Sequence, residues 1–204
     1  MSWEYYDNGG NNHSSDFSYD SSRYYTENQS IKYDPSSTDY IHAISSEIVP
    51  GTSSLIRMVF YNPTYSELGN SYYYVGPYFG GKGSSTLQGG YCGALNRNNT
   101  TYTLINGYIS SGQLTSTISY ALPSPLSEST WYGLELIVNC VKWGSLSNQY
   151  IVDVNLYDSD FTTKIGGVGN NTTTQYNDGR VGFLLRNGST SGYQWIDSFE
   201  VYTE

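Results

Sequence analysis

The side chains in this sequence that could do chemistry sit on segments of alternating polarity. In "GLELIVNCVKW", Glu135, Asn139 and Trp143 alternate with Leu134, Leu136, Val138 and Cys140. In "YIVDVNLY", Asp153, Asn155 and Tyr157 alternate with Val152, Val154 and Leu156, and in "LIRMVFY", Arg57 and Tyr61 alternate with Ile56, Met58 and Phe60. Successive strand residues point to opposite sides. Arg57, Tyr61, Glu135, Asn139, Asp153, Asn155 and Tyr157 are therefore expected on one exposed sheet face. Two chemistries suit such a face. Glu135 and Asp153 could act as a carboxylate pair in glycoside hydrolysis. Alternatively, the aromatic rings stack on a sugar while the amides and carboxylates read its hydroxyls. The binding role is the one expected here.

The closing stretch "GYQWIDSFEVYTE" raises a different problem. Read as an uninterrupted strand, it places Trp195, Asp197, Phe199 and Val201 on one side. That side is the apolar one and should face a core, carrying a carboxylate with it. A buried carboxylate needs a cation or several N–H donors. Arg180, Arg186 and backbone N–H groups are the candidates within the chain. The two histidines, His13 and His42, lie in no nucleophile or zinc motif, and "GGKGSS" lacks the strand–loop–helix setting of a phosphate cradle.

The elements that must position these groups are strands. Among 204 residues there are 23 Tyr and 22 Gly, with 13% charged residues. Tyr and Thr suit pleated strands, and Gly, Asn and Ser suit the turns between them. No segment sustains the i, i+3, i+4, i+7 spacing of a helix. Strands are expected near Trp3–Tyr6, Tyr24–Ile31, Tyr40–Ser46, Ser54–Tyr61, Tyr72–Phe79, Tyr91–Asn96, Tyr102–Ile109, Leu114–Leu122, Trp131–Trp143, Tyr150–Tyr157, Arg180–Arg186 and Tyr193–Tyr202. "NPTYSELGN" and "GGKGSSTLQGG" read as loops. No repeat or linker divides the chain, so residues 1–204 are expected to form one domain.

The net charge of −9 comes with no Lys/Arg cluster. Nucleic acid and anionic membranes are therefore poor partners. The longest apolar stretch is interrupted by Glu135 and Asn139 and is too short to span a bilayer. "MSWEYYDNGG" lacks the basic start and apolar run of a secretory leader. Cys92 and Cys140 either form one bridge or are two small buried hydrophobes.

Five segments follow one another in an order that resembles a known superfamily. They are "SYYYVGPYF", "STWYGLELIVN", "QYIVDVNLYDSD", "DGRVGFLLRNG" and "YQWIDSFEVY". The chain from about Ser71 to Tyr202 resembles the concanavalin A-like lectin/glucanase superfamily, laminin-G-like modules included. "WEYYDNGG" fits its first strand, which pairs beside the last. The resemblance implies an all-β, two-sheet antiparallel jelly-roll sandwich. It also implies a structural calcium at the aspartate of the "D-x-F-x-V" strand, which is Asp197 here. Asp7, in the turn after the first strand, is a second acidic candidate, since calcium takes six to eight oxygen ligands. The glucanases' Glu-x-Asp-x-(x)-Glu signature is absent, so no catalytic residues are assigned.

Three function classes follow. The first is a non-catalytic protein of an assembled surface: a virion (phage) decoration, fibre or adhesin protein. It would contact other surface proteins, form homo-oligomers, and recognise glycans or a host surface. Tyrosine-rich surfaces of low charge suit such contacts. The second is a secreted lectin-like module, and the third a hydrolase or lyase of the same fold. The location expected is a virion surface or the extracellular space.

Overall fold

Strands that alternate as "GLELIVNCVK" does have one apolar face, and two sheets of such strands bury those faces against each other. The computed structural model describes residues 3–26, 28–50, 54–69, 72–81, 90–142, 148–172 and 178–203. Its strands are β1 (Trp3–Asp7), β2 (Phe17–Asp20), β3 (Ser30–Tyr33), β4 (Ile41–Pro50), β5 (Ser54–Asn62), β6 (Tyr72–Gly81) and β7 (Tyr91–Asn98). After these come β8 (Thr101–Ser110), β9 (Gln113–Ala121), β10 (Thr130–Lys142), β11 (Asn148–Asp158), β12 (Lys164–Thr172), β13 (Asp178–Asn187) and β14 (Gln194–Thr203). Helix is confined, among the described residues, to one 3-10 turn (Ser14–Asp16) and one four-residue helix, α1 (Tyr65–Leu68). The helix lies in the expected loop "NPTYSELGN". There Thr64 and Glu67 form a reciprocal capping box and Gly69 closes the end in the left-handed region.

Two seven-stranded antiparallel sheets result. Sheet A has the order β1-β4-β13-β6-β7-β8-β9, and sheet B the order β12-β11-β10-β5-β14-β3-β2. The core between them includes Ile56, Met58 and Phe60 of β5, Leu134, Leu136 and Val138 of β10, and Val152, Val154 and Leu156 of β11. These are the inward faces expected from the alternation. Sheet A also buries a cluster on its other face: Ile44, Tyr78, Cys92, Ile109 and Leu184. Its edges curl towards each other there. A Cβ on Gly112, in the β8–β9 turn, would lie 2.6 Å from Cβ of Asn8, just after β1. His42 Nε2 bonds the Gly112 carbonyl at 2.6 Å, and burial lowers the His42 pKa to about 4, keeping it neutral. Cys92 is a free, buried thiol; the Cys140 side chain lies outside the described residues.

Three expectations are corrected. The terminal strands do not pair: β1 pairs with β4 in sheet A, and β14 with β5 and β3 in sheet B. They face each other across the core, where the rings of Trp3 and Phe199 meet edge-on at 5.0 Å. The strand expected at Tyr24–Ile31 is instead the connection between β2 and β3, followed by the start of β3. Most important, Trp195 and Asp197 face outward. A bulge at Ser198, whose φ of 43° is unusual for a non-glycine residue, shifts the phase of β14. Ile196 is opposite Phe60 and Phe199 opposite Met58, both inside, whereas Trp195 is opposite Tyr61 and Asp197 opposite Val59.

One end of the sandwich is tied by a buried polar network. Asn62 is fully buried; its Oδ1 accepts from the Tyr73 hydroxyl (3.0 Å) and Arg97 (3.3 Å). Its Nδ2 donates to the Ser127 carbonyl at 2.9 Å. The buried Arg97 guanidinium also donates to the carbonyls of Pro63 (2.6 Å) and Asn99 (3.0 Å) and pairs with Glu128. Three loops are thereby fixed to one cation.

Candidate functional site

The outer face of sheet B brings Arg57, Glu135, Asn155 and Tyr157 together. Register places Glu135 between Arg57 on β5 and Asn155 on β11. Glu135 is buried, and both its oxygens are committed. Oε2 accepts from Arg57 Nε (2.9 Å) and pairs with its Nη2 (2.8 Å), while Oε1 accepts from Asn155 Nδ2 (3.1 Å) and the Tyr157 hydroxyl (3.4 Å). Burial first, and then the Glu135 charge, raise the Tyr157 pKa, so it remains a phenol.

Phe161, which the sequence reading missed, completes the row. It lies in the turn after β11 at a φ of 61°, and Asp158 fixes that turn by accepting from the N–H groups of Thr162 and Thr163. The Phe161 ring lies across Gly133, where a Cβ would come within 2.7 Å of two ring carbons. Arg57 sits 4.8 Å over this ring, and Tyr157 is 5.8 Å from it. An aromatic residue four positions past an outward Tyr, facing a strand glycine, was the available signal.

Asp153 lies one step along the same face, opposite Ile137 on β10 and Gly169 on β12. A Cβ at Gly169 would be 2.2 Å from Asp153 Oδ1, and one at Gly167 2.6 Å from Asn155 Oδ1. The glycines of "KIGGVGNNT" thus leave room for the site's side chains. Glu135 and Asp153 share no hydrogen bond, and the oxygens of Glu135 are engaged elsewhere. The Asn139 side chain lies outside the described residues.

Tyr61 belongs to a different cluster. Its ring meets Trp131 at 5.3 Å and Trp195 at 5.6 Å, and the Arg23 guanidinium covers both Tyr61 and Trp195 at 4.2 Å. The β2–β3 connection that carries Arg23 therefore roofs this part of the sheet.

Asp197 is answered by the same connection. Its Oδ2 accepts from the backbone N–H groups of Tyr25 (2.7 Å) and Thr26 (3.0 Å). Its Oδ1 accepts from the Thr26 hydroxyl and the Ser198 N–H, both at 2.7 Å. Neither arginine is involved: Arg180 pairs with Glu4, and Arg186 donates to the Thr38 carbonyl. Asp7 is held separately, accepting from the N–H groups of Gly9 (2.9 Å) and Asn11 (2.8 Å) and from Asn11 Nδ2 (2.7 Å). Donors turn their positive ends to both carboxylates, whereas calcium requires converging oxygens. The residues around Asp197 and Asp7 do not fit calcium, and no group of three or more His, Cys, Asp or Glu among the described residues is arranged to hold a metal.

Asp7 also joins a buried clasp that the sequence did not announce. His13 lies between Asp16 (Nδ1, 2.9 Å) and Asp7 (Nε2, 3.3 Å), and Ser36 donates to Asp16 through its N–H and hydroxyl. Burial favours the neutral ring, but the hydrogen bonds to Asp16 and Asp7 outweigh it and raise the His13 pKa. Burial likewise opposes ionisation of the two carboxylates. The bonds from Asn11, His13 and Gly9 to Asp7, and from His13 and Ser36 to Asp16, overcome it and lower both pKa values. The histidine contribution is complete below the ordinary 6.5 and is lost as pH rises through the raised value. The aspartate contribution is complete above the ordinary 3.8 and is lost as pH falls through the lowered values. His13→Gln should therefore cost about 2 kcal/mol at about pH 5.5 and much less at about pH 9. Urea unfolding at both pH values checks this; an equal loss at each would show that His13 is not charged in the fold.

No family model matches the sequence, and no curated protein matches it. Solved structures do resemble the fold. The exoplasmic/lumenal domain of VIP36, in a Ca2+/Man-bound form, superposes over 99% of this chain and 83% of its own at 8% identity, with a TM-score of 0.59. A legume lectin-like domain from Entamoeba histolytica covers 93% and 91% at 8% identity, with a TM-score of 0.53. The PL-14 alginate lyase from Aplysia kurodai covers 93% and 88% at 11% identity, with a TM-score of 0.51. No helix among the described residues is long and apolar enough to cross a membrane. At these identities the likeness is one of architecture: the chain has the concanavalin A-like jelly-roll fold.

Proposed function

We propose that this chain is a non-catalytic carbohydrate-binding protein that presents the outer face of sheet B to a saccharide. The observation that carries this reading is the fixed row Arg57–Glu135–Asn155–Tyr157 beside the Phe161 ring. Its buried carboxylate holds three donors in place, so the exposed parts of Arg57 and Tyr157 meet a ligand with little left to order. Phe161 and Tyr157 supply aromatic surface at one end of the row, and Asp153, beyond Asn155, supplies an acceptor at the other. Neighbours of the same fold include a mannose-bound domain and an alginate lyase, which supports a carbohydrate ligand. Hydrolysis is disfavoured because the glutamate that would pair with Asp153 is clamped by Arg57. On an array of uncharged glycans, Tyr157→Ala and Asp153→Ala should each abolish binding while changing the melting temperature by no more than about 2 °C. Binding by both variants at the wild-type level would overturn the assignment of this face.

Presentation on a virion or other assembled surface, with homo-oligomer contacts, is the second reading. It draws on exposed Ile118 and Tyr120 of edge strand β9 and Ile165 of edge strand β12. Light scattering that finds only monomer at high concentration would remove its support.

A further inference from the structure

Among the described residues, each arginine but one has a carboxylate partner. Arg23 pairs with Glu67, Arg57 with Glu135, Arg97 with Glu128 and Arg180 with Glu4. Arg186 has no carboxylate partner among the described residues, although acidic side chains outnumber Lys and Arg by 18 to 9. It is instead surrounded by tyrosine rings on the outer face of sheet A. Its guanidinium lies 4.8 Å from the centroid of Tyr40, 5.6 Å from Tyr72 and 6.0 Å from Tyr74. The rings brace one another, Tyr40 with Tyr74 at 5.5 Å and Tyr72 with Tyr74 at 6.5 Å. Nε donates to the Thr38 carbonyl at 3.0 Å, which fixes the plane of the group.

Strand register extends this cluster into a row. Arg186 of β13 is opposite Tyr74 of β6, Tyr74 is opposite Asn96 of β7, and Asn96 is opposite Thr103 of β8. All four are half-buried, so the row is open to solvent yet held by the sheet. A guanidinium has five N–H donors in a planar fork that matches a two-oxygen anion. Ring faces satisfy its charge in part, through the quadrupole, and leave the N–H edges of the terminal nitrogens without a carboxylate to accept from them. Phenol edges stand beside it. Two and three strands away along the row are the Asn96 amide, whose Nδ2 donates to the Tyr73 carbonyl at 3.3 Å and whose oxygen can accept, and the Thr103 hydroxyl, groups that read sugar hydroxyls.

We propose that Arg186 and its tyrosine cage form a second saccharide site, on sheet A, that binds an acidic sugar through a bidentate contact between the guanidinium and the sugar's carboxylate. Asn96 and Thr103, further along the row, contact its hydroxyls. This site is separate from the sheet B face and does not depend on the assignment made there.

Calorimetry with trigalacturonate and with its uncharged methyl ester tests the proposal. The free acid should bind the wild type, and the ester about tenfold more weakly or not at all. Arg186→Gln should lose at least this factor, and Arg186→Lys should recover only part of it. In the wild type, the Arg186 Nε–H resonance should shift on addition of the acid, which locates the contact without any substitution. Equal binding of acid and ester, an unmoved Arg186 resonance, or inorganic sulfate binding as tightly as the trisaccharide would each overturn the proposal. The last outcome would reduce the site to a simple anion contact.

Discussion

Arg97→Met is expected to lower the stability by about 3–5 kcal/mol, more than any substitution on the two outer faces. The guanidinium is buried at one end of the sandwich, and four separate groups accept from it: the carbonyls of Pro63 and Asn99, Asn62 Oδ1 and the Glu128 carboxylate. Methionine fills much of the volume but donates nothing. The buried Pro63 carbonyl would then lose its donor in a site that water does not easily reach, and Asn62 Oδ1 would keep only the Tyr73 and Tyr102 hydroxyls; an unsatisfied buried acceptor costs about 1–3 kcal/mol. For a chain of this length the melting temperature should fall by about 10 °C. Glu128→Gln should be far milder, at about 1 kcal/mol, because Glu128 is 42% exposed in its side chain and water can replace it. The contrast is the test. If denaturant unfolding shows similar small losses for both variants, the network is decoration on a core that is stable without it.

Arg97 also shows where alternation in the sequence stops being a guide. The pattern in "YCGALNRN" puts Arg97 on the same side as Leu95, facing the core, and a period-two reading has no way to know that three loops will deliver acceptors there. The inward faces of β5, β10 and β11 were legible because burial of their apolar side chains is decided strand by strand. β12 was not. No strand is expected at "KIGGVGNNT", because three glycines remove the side chains that make a strand recognisable. Those glycines are required by neighbours, since Asp153 and Asn155 of β11 lie across Gly169 and Gly167. The juxtaposition of the candidate side chains on sheet B was legible in the same way. Arg57, Glu135, Asn155 and Tyr157 share a row because register follows from hydrophobic pattern. Tyr61, four residues along β5 from Arg57, was lost to a roof formed by the β2–β3 connection, a contact distant in sequence. Arg186 and its tyrosines lie on the far side of sheet A, and its curvature, which brings its edges together, is not a property of any one segment.

The phase of β14 is the clearest case, and it leads to the second large effect. One extra residue at Ser198 turns Asp197 from the core to the outer face, where the β2–β3 connection wraps it in donors. Asp197→Asn should cost about 2–4 kcal/mol, because an amide has one acceptor oxygen where the carboxylate has two. Its NH2 must then confront N–H groups of Tyr25 and Thr26 or the N–H of Ser198. Thr26→Val, which removes only the hydroxyl donor, should cost about 1 kcal/mol. The same geometry makes a calcium-specific prediction. A bound ion at a hundredfold excess over its Kd would add about 2.7 kcal/mol, so a calcium-dependent fold would melt several degrees lower in chelator. With both Asp197 oxygens already accepting from N–H and O–H groups, the wild type should melt at the same temperature in chelator and in calcium, and Asp197→Asn should be destabilised equally in both. A wild-type melting temperature that drops in chelator and returns with calcium, with the response missing in Asp197→Asn, would mean that the β2–β3 connection swings its donors away to admit the ion. The donor cage would then be only one of two arrangements of this loop.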